Sequence, residues 1–174
     1  MPQTRRGCFS KILLMPWAAL LIFAAAACAI IFGFTMQYGF GLKPCVLCLW
    51  QRVPFGLAAA LAVTALVWRP SGARVRILLG LCAAVFFVNM GLALFHTGVE
   101  KHWWLGTSGC SIQPLTGATP EDLRTQLLNT AVVSCDQVTW TFLGLSMANW
   151  NILYSLFLAM FALAAMFYES ENDQ

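Results

Sequence analysis

Four apolar stretches, each long enough to cross a bilayer as a helix, decide what this chain can fold into. They cover residues 12–34, 45–68, 77–95 and 148–167. A span needs roughly 20 predominantly apolar residues. Inside lipid the backbone N–H and C=O groups must be paired within the segment itself, which an α-helix does. Composition agrees: 60% of the 174 residues are hydrophobic, 10% are charged, and the mean hydropathy is +0.74. A soluble domain carries about 25% charged residues. The expected fold is therefore an all-α integral membrane protein, a four-transmembrane-helix bundle forming one domain over residues 1–174. Small residues at 24–27, 58–60 and 162–165 permit close helix approach. The net charge of +3, with no Lys/Arg-rich tract and no phosphate-cradling glycine loop, excludes nucleic acid as a partner; the partner is the lipid bilayer. The first stretch has the basic start of a cleaved signal, and Ala25-Ala26-Ala27-Cys28 resembles a lipoprotein cleavage site. Its apolar run continues through Ile30, Ile31, Phe32 and Phe34, so a retained span is expected.

Basic residues set the orientation. Arg5, Arg6 and Lys11 precede the first span, and Arg69, Arg74 and Arg76 separate the second from the third. The opposite side has Lys43, Lys101 and Arg124, with Arg52 at the membrane edge. The positive-inside rule puts both termini in the cytoplasm. The outer loops are then residues 35–44 and 96–147. Trp50, Trp103, Trp104, Trp140 and Trp150 fall near the outer interface, and Trp17 and Trp68 near the inner one, as indole prefers.

The long outer loop carries its own signals. Thr119-Pro120-Glu121-Asp122 reads as an N-cap, a proline at the first helical position and two acids in the first turn. With Leu123, Leu127 and Leu128 it predicts a short outer-loop helix at 120–129. Trp140-Thr141-Phe142-Leu143-Gly144-Leu145 is too apolar for a free loop and is expected at the interface.

Two cysteine pairs carry the chemistry. Cys45-Val46-Leu47-Cys48 is a C-x-x-C at the start of the second span, and Cys110 and Cys135 lie far apart in the long polar loop. On one face of a membrane, two such pairs can pass electrons by thiol–disulfide exchange. Both face outward, where disulfides persist. Pro44 is suited to starting a helix, which places Cys45 and Cys48 in a first turn whose free N–H groups and dipole favour negative charge on a thiol. Arg52 follows Cys48 by four residues, on the same helical face. It stabilises a Cys48 thiolate or the reduced form of an oxidant beside it; otherwise it snorkels to headgroups. Cys110 and Cys135 reach other proteins from a mobile loop, or they form a structural staple. His96 and Glu100, spaced i, i+4, and Gln37 at the end of the first span, stand at the level of the C-x-x-C, where they line a polar pocket or are ordinary interface residues. Cys8, Cys28 and Cys82 are assigned no role. Four spans leave no room for a flavin or dinucleotide fold, and Leu49, not His, follows Cys48, so no haem attachment motif exists. By elimination the oxidant is a lipid-soluble quinone.

Lys43-Pro44-Cys45-Val46-Leu47-Cys48 followed by Gln51-Arg52, then His96, Cys110, Cys135 and Trp140-Thr141-Phe142-Leu143-Gly144-Leu145 leading to Trp150, resembles the bacterial disulfide bond formation protein B (DsbB-like) family of quinone-dependent thiol oxidases. The resemblance implies a bacterial inner-membrane enzyme that reoxidises a soluble periplasmic thioredoxin-fold donor (DsbA-like) and reduces a quinone, ubiquinone or menaquinone, of the membrane pool. It implies catalytic Cys45, Cys48, Cys110 and Cys135, paired at rest as Cys45–Cys48 and Cys110–Cys135. Cys110 would take the donor in a mixed disulfide, Cys135 would exchange with Cys45, and Cys48 would face the quinone as a thiolate beside Arg52. His96 matches the family's histidine near the quinone. Glu100 stands where a glutamine is found in the family, and a carboxylate repels a quinone anion unless protonated. No metal is implied. Two other readings remain. One is a disulfide-stapled or metal-binding membrane scaffold. The other is an oxidase like the vitamin K epoxide reductase homologues, in which the loop pair precedes the C-x-x-C; here it follows.

Overall fold

The computed structural model describes residues 14–107, 110, 119–121, 124 and 133–172. Four helical spans are present among them, Trp17–Gly39, Val46–Trp68, Ala73–Glu100 and Met147–Glu171. Each departs from the expected span for a local reason.

The first begins as helix α1 (Trp17–Phe34) and continues as a π-helical turn over Thr35–Gly39 into what was expected to be loop. The wider turn carries Gln37 beside the second span. The second span is broken into α2 (Val46–Trp50) and α3 (Arg52–Trp68), with Gln51 between them. Pro54 has no N–H to offer the carbonyl of Trp50, and its ring crowds that carbonyl, so the ladder fails one turn before it.

Helix α4 (Ala73–Glu100) runs five residues past the expected end at Phe95. His96, Thr97, Gly98 and Val99 are buried, not solvated, so helix persists where loop was expected. At about 1.5 Å per residue α4 is ~42 Å long, more than the ~30 Å hydrocarbon layer. Its last turns therefore stand above the lipid core and offer a platform for the outer loop. The fourth helix, α5 (Met147–Asn172), starts directly after a hairpin of strands β1 (Thr141–Phe142) and β2 (Leu145–Ser146). Leu143 and Gly144 both have positive φ, 51° and 77°, the backbone of a tight two-residue hairpin turn. Trp150 Nε1 donates to the Phe142 carbonyl at 3.0 Å and ties the hairpin to α5. The apolar run at 140–145 is thus a hairpin with exposed Phe142 and Leu143. Pro120, Glu121 and Arg124 are helical, at the start of the expected loop helix; its other residues lie outside the described ones.

The bundle closes over small residues. Ala18, Ile22 and Ala26 of α1, Ala58 and Ala62 of α3, Ala83 of α4 and Ala159 and Ala162 of α5 share one buried core with Phe55, Leu79 and Phe86. Lipid gives no hydrophobic drive between helices, so backbones must approach closely to gain dispersion contacts. A second, smaller core lies at one end of the bundle and contains three cysteines: Cys45, Cys110 and Cys135, with Leu47 and Val99. That end also carries Trp50, Trp103, Trp104 and Trp150, while Trp17 and Trp68 stand, exposed, at the other.

Candidate active site

The site is built on the start of α2. Cys45 is its N-cap, with extended backbone (φ −75°, ψ 170°), and its Sγ accepts the backbone N–H of Cys48 at 3.2 Å. Pro44 therefore precedes the cap; it is not the first helical residue. The capping geometry turns the two side chains toward each other, and Cys45 Sγ lies 2.8 Å from Cys48 Sγ, so the expected Cys45–Cys48 pair stands here as two adjacent free cysteines and not as a disulfide. Cys45 is buried and Cys48 half-buried.

Cys110 and Cys135 are joined in a disulfide with a Cα–Cα distance of 4.8 Å. Each is only 1% exposed, and they pack in the same cluster as Cys45. The expectation of a pair reaching out from a mobile loop gives way to a pair folded down onto the C-x-x-C. Their backbones are fastened as well: Cys135 N donates to Cys110 O at 2.9 Å, Ser134 Oγ donates to the same carbonyl at 2.8 Å, and Cys110 N donates to Thr107 O at 2.7 Å. The nest depends on a missing side chain. A β-carbon at Gly106 would lie 2.6 Å from the Cys110 β-carbon and 3.2 Å from Val99 Cγ1.

The polar residues expected in one pocket form two groups. On one side, His96 Nε2 lies 3.5 Å from Cys45 Sγ and 3.9 Å from Glu100 Oε1, and the ring also sits against the Cys135 backbone. Glu100 Oε2 accepts from Ser146 Oγ at 2.5 Å, so the carboxylate is held by the hairpin. On the other side, Arg52 Nη1 donates to Gln37 Oε1 at 2.8 Å, Nη2 donates to Gly33 O at 3.2 Å, and the guanidinium lies over the Phe34 ring at 4.9 Å. Cys48 feels the charge of both Arg52 and Glu100. Gln37 therefore serves Arg52 against α1, while His96 and Glu100 face Cys45 from α4.

Several residues here went unread in the sequence. Gln51 Nε2 lies 2.9 Å from His96 Nδ1, and Asn151 Nδ2 donates to Gln51 Oε1 at 2.6 Å. Asn89 and Ser155 continue the chain into the membrane half of the bundle. The signal was available: an uncharged polar side chain inside an apolar span needs a polar partner, and Asn89, Asn151 and Ser155 are such residues.

Chemically, three sulfurs and an imidazole meet in a buried cluster, with a fourth, half-buried sulfur, on Cys48, packed against it. Thiol–disulfide exchange needs a thiolate beside a disulfide sulfur, and Cys45 packs in one buried cluster with Cys110 and Cys135. The ligand atoms of Cys45, Cys48 and His96 also lie within 4.8 Å of one another, a set of three donors for a soft cation when both thiols are reduced.

Comparison with known proteins points the same way. A family model described as disulfide bond formation protein DsbB matches residues 16–165. A protein named disulfide bond formation protein B from Azoarcus sp. (strain BH72) is 30% identical over 174 residues, 96% of this chain and 95% of that one. One of the same name from Xanthomonas campestris pv. campestris (strain 8004) is 35% identical over 153 residues, 85% of this chain and 88% of its own. Another, from Aromatoleum aromaticum, is 28% identical over 143 residues, 82% and 86% of the two chains. No solved structure gives a significant match.

Gly106→Ala is expected to push Cys110 out of its nest. Overpacking of this kind typically costs about 1–3 kcal/mol, and the Cys110–Cys135 bond should be cut faster by a water-soluble phosphine. Reduction kinetics followed by thiol alkylation check this. An unchanged rate would mean that the close approach at Gly106 does not hold the disulfide.

Proposed function

The chain belongs to the disulfide bond formation protein B family and is a multi-pass membrane protein of disulfide bond formation; we propose that it reoxidises a periplasmic thioredoxin-fold donor and passes the electrons to a membrane quinone. In this reading it lies in a bacterial inner membrane, with both termini cytoplasmic and the cysteine end periplasmic. The observation that carries it is the buried Cys110–Cys135 disulfide resting on Cys45, with Cys48 half-buried behind it.

The order of events follows from exposure. A donor thiolate attacks Cys110, and Cys135 leaves with the electron pair. Because Cys110 is 1% exposed, the donor must lift this segment to reach it. Cys135 is already packed in the cluster of Cys45. In the oxidised enzyme, with Cys45 and Cys48 joined, its thiolate attacks Cys45 Sγ, the Cys135–Cys45 bond forms, the Cys45–Cys48 bond breaks, and the electron pair stays on Cys48 as a thiolate. Cys48 is next to exposed Leu49 and Trp50, and Arg52 to exposed Val53. Arg52 also has the exposed ring of Phe34 beneath its guanidinium. A flat, lipid-soluble ring arriving sideways would lie against these groups, and Arg52 has no carboxylate partner among the described residues, bonded instead to Gln37 and Gly33. A bound ubiquinone or menaquinone would accept two electrons and two protons.

A metal site using all four cysteines would need Cys110 and Cys135 as thiolates, and they are bonded to each other; quinone turnover separates the relay from a disulfide-stapled scaffold. A vitamin K epoxide reductase-like arrangement is disfavoured by chain order, since the loop pair follows the C-x-x-C.

Two variants separate the two ends of the relay. Cys110→Ser should abolish turnover with a protein donor, while quinone reduction driven by a small dithiol survives in part, because that reductant can reach the C-x-x-C directly. Equal loss with both reductants would make Cys110 a folding residue.

Arg52→Ala should slow quinone reduction or raise the quinone KM by about 10²-fold, the usual effect of removing a charge-stabilising donor from a preorganised site. Donor exchange with Cys110–Cys135 should persist. Lys should rescue only in part, because it cannot bond Gln37 and Gly33 with one planar fork. Intact quinone kinetics in folded Arg52→Ala would reduce Arg52 to an interface anchor.

A further inference from the structure

We propose that the buried amide chain Asn89–Asn151–Gln51 fixes the tautomer of His96, so that its Nε2–H is the hydrogen-bond donor to the Cys45 thiolate released during disulfide exchange. The proposal rests on the relay reading above and assigns His96 to the thiol side of the site, with Gln51, Asn151 and Asn89 as positioning residues.

A primary amide has one donor end and one acceptor end, so a row of them has a direction. Asn89 Nδ2 donates to Ser155 Oγ at 2.8 Å and to Asn151 Oδ1 at 3.3 Å, and Ser155 Oγ donates to Asn151 Oδ1 at 3.2 Å. With Oδ1 thus committed, Asn151 presents its Nδ2 to Gln51 Oε1 at 2.6 Å. Gln51 must then turn its Nε2 to His96 Nδ1, 2.9 Å away. An N–H pointing at Nδ1 makes that nitrogen an acceptor, and the ring proton sits on Nε2. Nε2 is the nitrogen that faces Cys45 Sγ, at 3.5 Å.

Reversing the whole row would give the other tautomer, and the far end of the row opposes it. Asn89 is fully buried, and its Oδ1 has no partner among the described residues. In the observed direction the orphan is one carbonyl oxygen. In the reversed direction it would be an NH2 group, with two unmet donors in the middle of a membrane bundle. An under-satisfied carbonyl is the more tolerated of the two. A residue deep in the bundle thereby biases a proton position at its outer end.

The step it serves is the resolution of a Cys135–Cys45 disulfide. The second thiolate of the donor attacks the donor sulfur of the donor–Cys110 disulfide, which leaves the donor oxidised and Cys110 a thiolate. Cys110 then attacks Cys135 Sγ, the Cys110–Cys135 bond forms, the Cys135–Cys45 bond breaks, and the electron pair stays on Cys45 Sγ. That thiolate then has two donors in place, the Cys48 backbone N–H at 3.2 Å and His96 Nε2–H at 3.5 Å. No proton is transferred. The ring only stabilises the charge of the leaving sulfur; its N–H also faces the Cys135 backbone and, at 3.9 Å, Glu100 Oε1, and the thiolate formed on Cys45 competes with both for it.

The direct test is ring 15N NMR of the full chain in detergent or lipid. His102→Asn simplifies the spectrum to one histidine; Asn tolerates the positive φ of 56° at that position. The expected spectrum has an unprotonated Nδ1 and a protonated Nε2. Asn151→Asp should reverse it, because a carboxylate accepts from Gln51 Nε2 and turns Gln51 Oε1 toward Nδ1. Loss of a hydrogen bond to a charged sulfur should slow single-turnover resolution of Cys135–Cys45 roughly 10- to 100-fold, with quinone KM unchanged. His96→Gln, whose amide nitrogen can approach the Nε2 position, should retain more exchange than His96→Asn. A protonated Nδ1 in the unsubstituted site overturns the proposal without any variant at the network. So does a reversed tautomer that leaves exchange unaltered. If the relay reading itself were wrong, no Cys135–Cys45 species would form at all, while the NMR result would stand by itself.

Discussion

One sulfur organises the outer end of this bundle. Cys45 caps α2, and from that position its Sγ meets the Cys48 N–H, the Cys48 sulfur and His96 Nε2, and packs against the Cys110–Cys135 disulfide. In the proposed relay, helix capping and redox chemistry use the same atom. The cap makes the C-x-x-C sulfurs converge, because the N-cap side chain must fold back over the first turn to reach an unpaired backbone N–H. The break at Gln51, caused by Pro54, lets two consecutive residues do different work. Gln51 faces His96 and α5, and Arg52 faces α1.

A second constraint comes from lipid. Polar groups inside the bundle have no water to turn to, so each must find a protein partner. Asn89, Asn151 and Ser155 bond across α4 and α5 within an otherwise apolar interface of alanines. Bonds of this kind are worth about 0.6–2 kcal/mol each in membrane proteins. Their direction matters as much as their strength in the proposed relay, where the row of amides carries an orientation from the bundle's middle to His96 beside Cys45.

Much of this was legible from residue order. Hydropathy located the four spans, since lipid imposes a length and an apolarity that few other environments demand. Indole preference sorted the tryptophans between the two ends. The spacing of Cys45, Cys48 and Arg52 marked the site. What residue order could not carry was tertiary. The extra turn of α4 exists because the loop buries His96 through Val99, a contact between segments far apart in sequence. The burial of Cys110 and Cys135 depends on Gly106 admitting a neighbour, which hydropathy does not register. The hairpin at 141–146 is too short for a periodic pattern, and its turn uses Leu143, a residue that rarely adopts positive φ. Gln37 and His96 look alike by position along the membrane normal, and only the helix faces assign one to Arg52 and the other to Cys45.

The central claim is that electrons enter at Cys110–Cys135 and leave from Cys48 to a lipid-soluble quinone. The most direct measurement uses the purified protein in liposomes with a membrane quinone and a reduced thioredoxin-fold donor, following donor thiols and quinone absorbance together. The account predicts one quinone reduced for each donor disulfide formed, and in Cys48→Ser a stop in quinone reduction while donor and Cys110 still form a mixed disulfide. Donor oxidation that proceeds without quinone reduction, or quinone reduction that survives loss of the Cys48 sulfur, would contradict it.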